Sequence, residues 1–389
     1  MSKKSFTAEN WGYPPYNKKS FQHVRTLFPT VKLTSEKENR NAFSSKEKDI
    51  SNIKYQIKYP GFESEFTIQE MLDKTHTDAF LVMKDGVILC EKYSNGMSRE
   101  SVHLMNSVSK SFLGILIGIL VDEGLIETQK LITDYLSDFE GTGFSGTTIQ
   151  QALNMTGSVK YGETYLKKES DFWQETSVVG WRPKLVKDTT PKTLYEYAKT
   201  LKEIEQDNGA AFHYRTVYTN ILGMVAEKVS SRTLTELLQE KLWQKIYPEQ
   251  DAYIVCDQDK FPYMGAGMNA CTRDLARFGQ MIVNKGIYEN ERVVSEKWIM
   301  KTLAGTDEAR KHFEVTEYIH LIPGGHYMNQ FWGSLDSEIL ACVGIHGQGI
   351  YMNMSNKTVA VKFSSQPDPD DGPLFIETFA ALDTLSRSI

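Results

Sequence analysis

An α/β protein of the α+β kind is expected from this chain, with one antiparallel sheet flanked by helices and a mostly helical second lobe. Three features carry that expectation. Strand-like patterning is concentrated at Asp78 to Gly96 and at Ile339 to Ser364, towards opposite ends of the chain. The stretch from Ile132 to Ile254 is mostly helical in its apolar spacing. Between the first strands and that stretch, Leu104 to Gly124 holds an apolar helix. Residues 1–130 and 255–389 are therefore assigned to a sheet domain built from both chain ends, residues 131–254 to a helical domain, and the functional site to the cleft between them.

Residues 1–33 carry three prolines and several aromatics and read as a segment draped over a folded body. Residues 34–54 are polar and charged and read as an exposed loop. The first strand signal is a hairpin: Phe80 and Val82, then Val87 and Leu89, flank the turn Lys84-Asp85-Gly86. A helix follows from about Ser107 and is stopped by Asp122-Glu123-Gly124. Helices are expected at Thr148 to Met155, Pro191 to Lys202, Tyr218 to Val229 and Leu234 to Ile246, the last opened by a Thr233/Glu236 capping box. The stretch between the first two, Gly157 to Asp188, is long, irregular and rich in Tyr and Trp, which marks a functional loop. An amphipathic helix over Thr272 to Lys285 ends at Gly286, and Ser295 caps the next. Ile339 to Ser364 is strand-like with a turn at Ser355-Asn356-Lys357, and Pro373 to Leu385 is a closing helix.

The bulk numbers exclude several classes. At 389 residues, 40% hydrophobic and 24% charged, the chain has ordinary globular composition. A net charge of −6 gives no basic field for nucleic acid. The longest apolar run, Phe112 to Val121, is too short to span a bilayer. The N-terminus lacks the apolar core of a signal peptide, so a cytoplasmic protein is expected. Four scattered cysteines, Cys90, Cys256, Cys271 and Cys342, read as buried free thiols. H-E-x-x-H is absent and the eight histidines are dispersed, so no metal and no cofactor are expected.

Ser107 and Lys110 form an S-x-x-K pair at the mouth of the apolar helix. A serine in a first helical turn has an unpaired backbone N–H that can donate to a developing oxyanion. A lysine three residues on shares its face, and burial lowers its pKa towards that of a usable base. The spacing alone is weak: Ser45/Lys48 and Ser51/Lys54 repeat it in or beside a charged loop. The competing reading of Ser107 is a helix cap beside a surface lysine. Tyr214, just before a helix, is a candidate to face a cleft and share a proton with Lys110; the alternative is an aromatic packed under the helical lobe. The run Val343 to Gly349 is dense in glycine, which lets a substrate approach backbone closely or merely forms a bulged strand.

SVSK at 107–110, YRT at 214–216 and HGQ at 346–348, in that order, resemble the S-x-x-K, Y-x-N and K-T-G motifs of the serine β-lactamase-like superfamily. WGYPPYNKKSFQHVRTLFPT, GETY, GWRP, FHYRT, MNACTRDLARFG and GIHGQGIY resemble blocks of its 6-aminohexanoate-dimer (nylon oligomer) hydrolase branch, with family VIII carboxylesterases nearby. They run from Trp11 to Tyr351. The resemblance implies a β-lactamase-like fold and a serine hydrolase acting on small carboxylic esters or linear amides. It implies Ser107 as nucleophile, Lys110 as base, Tyr214 as proton shuttle, and the N–H groups of Ser107 and Ile345 as oxyanion hole. Tyr165 resembles a mobile-loop tyrosine, and Thr216, His346 and Gly347 fall at substrate-binding positions. Tyr218-Thr219-Asn220 matches Y-x-N literally and competes with Tyr214. Similar proteins are often homodimers. His346 in place of the K-T-G lysine and Thr216 in place of the Y-x-N asparagine weaken the rival reading, a β-lactamase or D,D-peptidase. A catalytically silent binding protein on the same fold is the second rival.

Overall fold

The two strand-rich ends of the chain pair with each other. In the computed structural model, which describes residues 5–36, 42–59, 62–183 and 191–389, the strand Thr358–Ser364 lies antiparallel beside Thr77–Lys84, with Ala360 opposite Val82 and Lys362 opposite Phe80. That pairing completes an eight-stranded sheet. Across it run His326–Met328, Phe331–Ser334, Ile339–Gly344, Gln348–Asn353, Thr358–Ser364, Thr77–Lys84 and Val87–Tyr93, with Ser44–Ser45 parallel at the edge. The hairpin at Asp85-Gly86 forms as expected: both residues have positive φ (47° and 79°), the geometry that follows strand twist.

Strand alternation sorts the side chains into two cores. Phe80, Val82 and Ala360 point to one face, with Ile68, Met71, Phe379 and Leu382. Leu81, Met83, Val359 and Val361 point to the other, with Phe278 and Met281. Helices Ile68–Lys74 and Gly372–Ser388 supply the first cover, and Thr272–Val283 the second. Covered on both faces, all seven residues of Thr358–Ser364 are buried, Lys362 among them.

The helix Val108–Asp122 is buried at every position from Val108 to Leu120. Its sequence is apolar all round, which suits a core helix and not a surface one. Gly118 lets the Trp298 indole lie against it; a Cβ there would stand 2.5 Å from the indole nitrogen. Lys110 is carried inside because the helix around it cannot be exposed without exposing Val108, Phe112 and Leu113.

Several elements differ from expectation. A four-stranded sheet, Thr30–Leu33, Ala252–Val255, Met268–Cys271 and Val102–Leu104, was not expected; its strands are three or four residues long and pair across the chain. Lys54–Tyr59 and Phe62–Thr67 form a separate hairpin beyond the charged loop. Gly157 to Asp188 is not irregular throughout, since Ser170 caps a helix over Asp171–Val178; residues 184–190 lie outside the described residues. The Thr233/Glu236 capping box is present, but the α-helix it opens ends at Leu238 and continues as wider and tighter turns to Ile246. All four cysteines are buried and free. No helix among the described residues is long and apolar enough to cross a membrane.

Candidate active site

The short strand Val102–Leu104 delivers the chain to a tight turn. Asn106 there takes a left-handed conformation (φ 47°), which asparagine tolerates better than most residues, and Ser107 returns to right-handed geometry as the helix cap. The Asn106 side chain donates to the Ile345 carbonyl at 2.9 Å, so the turn is fastened to the glycine-rich loop. The Ser107 side chain makes no capping hydrogen bond. Lys110 Nζ donates to its Oγ at 2.9 Å instead. Among the described residues, the Ser107 N–H has no acceptor.

Lys110 is 1% exposed. Its second acceptor is the Gly265 carbonyl at 2.6 Å. Burial pulls its pKa down to about 8, opposed by the carboxyl groups of Glu163 and Glu175. An amine with that proton affinity, in contact with a serine hydroxyl, can accept its proton at neutral to mildly alkaline pH.

Tyr214 completes the group. Its hydroxyl interacts with Ser107, and Lys110 Nζ lies 4.9 Å from its ring centroid. Trp332 stacks on the ring at 5.7 Å and Tyr327 meets it edge-on at 5.8 Å, fixing its plane. Burial holds the phenol well above its ordinary pKa, so it stays protonated. Tyr218 is placed elsewhere: it is fully buried and accepts the Val159 N–H at 3.2 Å, while Asn220 donates to Glu175 at 2.9 Å. The other two S-x-x-K pairs also lack any such arrangement: Ser45 is exposed, and Lys54 is paired with Glu65.

On the other side, Gly344 packs on the Ser107 turn so closely that a Cβ would lie 3.1 Å from the Ser107 nitrogen. Ile345 therefore follows directly on a residue touching the Ser107 N–H. Gln348 Nε2 braces this loop by donating to the carbonyls of Ser364 (2.7 Å), His346 (3.2 Å) and Ile345 (3.3 Å). Lys362, buried beneath, reaches the Gly347 carbonyl at 3.4 Å. His346 is 6% exposed, packs edge-on against Phe21, and shares its Nδ1 with the Gln366 carbonyl at 2.7 Å. Burial lowers its pKa to about 4, leaving a neutral ring that shapes the loop without offering charge to a ligand. Thr216 is likewise fully buried, its hydroxyl committed to Glu163 at 2.5 Å. The side chains of both residues, expected at substrate-binding positions, are engaged by the protein itself. Tyr165 is half-buried, edge-on to Phe172, with Glu163, Tyr318 and Tyr214 around it.

Sequence reasoning does not single out five further groups: Glu163 lies inside the GETY block and Gln348 inside HGQ, whereas no local pattern marks Glu175, the Gly265 carbonyl or Lys362. Glu175 is fully buried, takes hydrogen bonds from Tyr161 (2.7 Å) and Asn220, and is pushed by burial to a pKa of about 8. An acid whose folded pKa is raised favours the folded state below its unfolded pKa, and that contribution is lost as pH rises towards 8. Glu175→Gln is therefore expected to melt close to wild type near pH 5 and above it at pH 9; thermal melts at the two pH values check this.

No group of three or more metal-binding side chains occurs among the described residues. A groove of about 730 Å³ beside Tyr195, Met224 and Phe261 contains none of these catalytic candidates. The polar convergence is at Ser107, where buried Ser107 and Lys110 meet the half-buried Tyr214 beside a sheet flanked by helices.

This chain belongs to the beta-lactamase family, a class of hydrolases, whose sequence model matches residues 67–382. Within that class it is related to a 6-aminohexanoate-dimer hydrolase of Paenarthrobacter ureafaciens, with 31% identity over 94% of this chain and 89% of the relative. Among solved structures it is similar to a chain provisionally named a 6-aminohexanoate-dimer hydrolase from Bacillus anthracis: TM-score 0.88, 25% identity, 100% of this chain and 98% of that one. A family VIII carboxylesterase shares the fold at TM-score 0.58 and 14% identity, over 81% of this chain and 96% of its own.

Proposed function

We propose that this protein is a serine hydrolase that works through an acyl-enzyme on small carboxylic esters or linear amides. The observation that carries the reading is the 2.9 Å contact between Lys110 Nζ and Ser107 Oγ, in a buried setting with Tyr214 alongside. Ser107 attacks the carbonyl carbon as its proton passes to Lys110. The oxyanion is held by the N–H groups of Ser107 and Ile345. Tyr214 hands a proton to the leaving amine or alkoxide, and water then releases the acyl group. The relationship to 6-aminohexanoate-dimer hydrolases supports linear amides as one substrate class, and the carboxylesterase fold neighbour is compatible with esters.

The rival β-lactamase or D,D-peptidase activity would need a cation for the substrate carboxylate where the third motif lies. His346 there is neutral and buried, and Lys362 is 1% exposed. Turnover screened over p-nitrophenyl esters, linear amides and nitrocefin is expected to favour the first two; nitrocefin as the best substrate would overturn the assignment.

The role of Tyr214 has its own signature. Tyr214→Phe keeps the stack on Trp332 but removes the proton donor. A general acid contributes about 10²–10⁴-fold, and most where the leaving group is poor. The expected loss in kcat is about 10³-fold on an amide and much smaller on a p-nitrophenyl ester, read by steady-state kinetics on both.

A further inference from the structure

The loop that carries Tyr165 is tied to the base by one carboxylate. Glu163 accepts the Thr216 N–H at 2.9 Å and the Thr216 hydroxyl at 2.5 Å. Thr216 in turn packs on Gly265, where a Cβ would collide with its methyl group. The Gly265 carbonyl holds Lys110 Nζ at 2.6 Å. A single residue, Thr216, thus separates the carboxylate from the backbone that fixes the lysine. The neighbouring cation Arg215 is committed elsewhere, to Glu205 and to the Gly157 carbonyl at 3.0 Å.

We propose that Glu163 is the positioning residue of the base: its carboxylate sets how readily Lys110 releases a proton, and through Thr216 it couples that property to the placement of the Tyr165 loop. This rests on the reading of Ser107 and Lys110 as nucleophile and base. The physical need is plain. Burial alone would leave a neutral amine too weakly basic to draw a proton from serine, and a general base works best with a pKa near the working pH. A nearby carboxylate offsets the burial by favouring the ammonium, and Lys110 in return draws the Glu163 pKa back down against the burial that raises it. The proton balance is unchanged: it leaves Ser107 Oγ as the Oγ–carbon bond forms, rests on Lys110 Nζ, and goes to the leaving group through Tyr214 as the scissile bond breaks. Glu163 carries no proton in the cycle. Other titratable groups around this pair are Glu175 from the Asp171–Val178 helix and the phenols of Tyr161, Tyr165, Tyr214, Tyr263 and Tyr318, each with its pKa raised by burial.

Glu163→Gln keeps the shape and an acceptor for Thr216 while deleting the charge. Activity requires neutral Lys110, so kcat/KM rises with pH through the Lys110 pKa. Loss of the carboxylate lowers that pKa, and the acid limb for p-nitrophenyl acetate is expected to move down by about one pH unit. A purely structural role would alter KM or melting temperature and leave the limb in place. A folded E163Q whose limb stays, or moves up, overturns the proposal. Should E163Q not fold, Glu163→Asp withdraws the same charge by one methylene and is expected to move the limb the same way by less; an unmoved limb overturns the proposal equally. Fluorophosphonate labelling of Ser107 in each protein separates the two claims. If wild type is not labelled, the serine-hydrolase reading falls and this inference with it; if it is labelled and the limb does not move, only this inference falls.

Discussion

Ser107→Ala is expected to lower kcat/KM on a p-nitrophenyl ester by at least ~10³-fold, with little change in stability. Removing a nucleophilic serine takes away the covalent route and leaves only what binding and the oxyanion donors supply. The stability side follows from the local structure. The Ser107 hydroxyl caps nothing, and Lys110 keeps its second acceptor, the Gly265 carbonyl, when that hydroxyl is gone. Retained activity in a folded S107A protein would place the chemistry elsewhere.

Lys110→Met has the second large effect, and it runs in opposite directions for activity and stability. Hydrolysis is expected to fall by at least ~10³-fold, since the amine that takes the Ser107 proton is gone. Stability is expected to rise at neutral pH. A lysine whose pKa falls from 10.5 to about 8 on burial opposes folding wherever the unfolded chain would hold its proton. That opposition is full below pH 8 and disappears as pH climbs through 10.5. Converted directly, the shift is an upper figure of about 3 kcal/mol, reduced by the lost hydrogen bond to Gly265 and by the Glu163 charge left behind. Melting curves at pH 7 and pH 10.5 test the sign: K110M should gain over wild type at pH 7 and lose that gain at pH 10.5.

What could be read from the sequence was local. The Asp85-Gly86 turn, the Ser295 and Thr233 caps and the apolar helix after Ser107 each depend on residues a few positions apart, and each is present. The same locality brought Ser107 and Lys110 together, since three residues of helix place them on one face. What stayed hidden depends on distant partners. Thr30–Leu33 is a strand because Ala252–Val255 lies beside it, and no pattern in four residues announces that. Glu175 is a buried acid because Tyr161 and Asn220 reach it from other elements. The Gly265 carbonyl has no side chain to advertise it. Packing separates Tyr214 from Tyr218: helix burial puts Tyr218 against Val159, whereas Tyr214 lies before the helix, beside Ser107. His346 looked like a ligand-facing residue by motif register, but a left-handed backbone (φ 63°) and the contact with Phe21 turn its ring into the N-terminal segment.

The central claim is that Ser107 is the atom acylated. Mass spectrometry of the protein after reaction with a fluorophosphonate, or quenched during ester turnover, tests it most directly. The predicted result is one covalent adduct on the peptide containing Ser107, absent from S107A. An enzyme that hydrolyses its substrate while Ser107 stays unmodified, or that carries the adduct on another residue, would contradict the account.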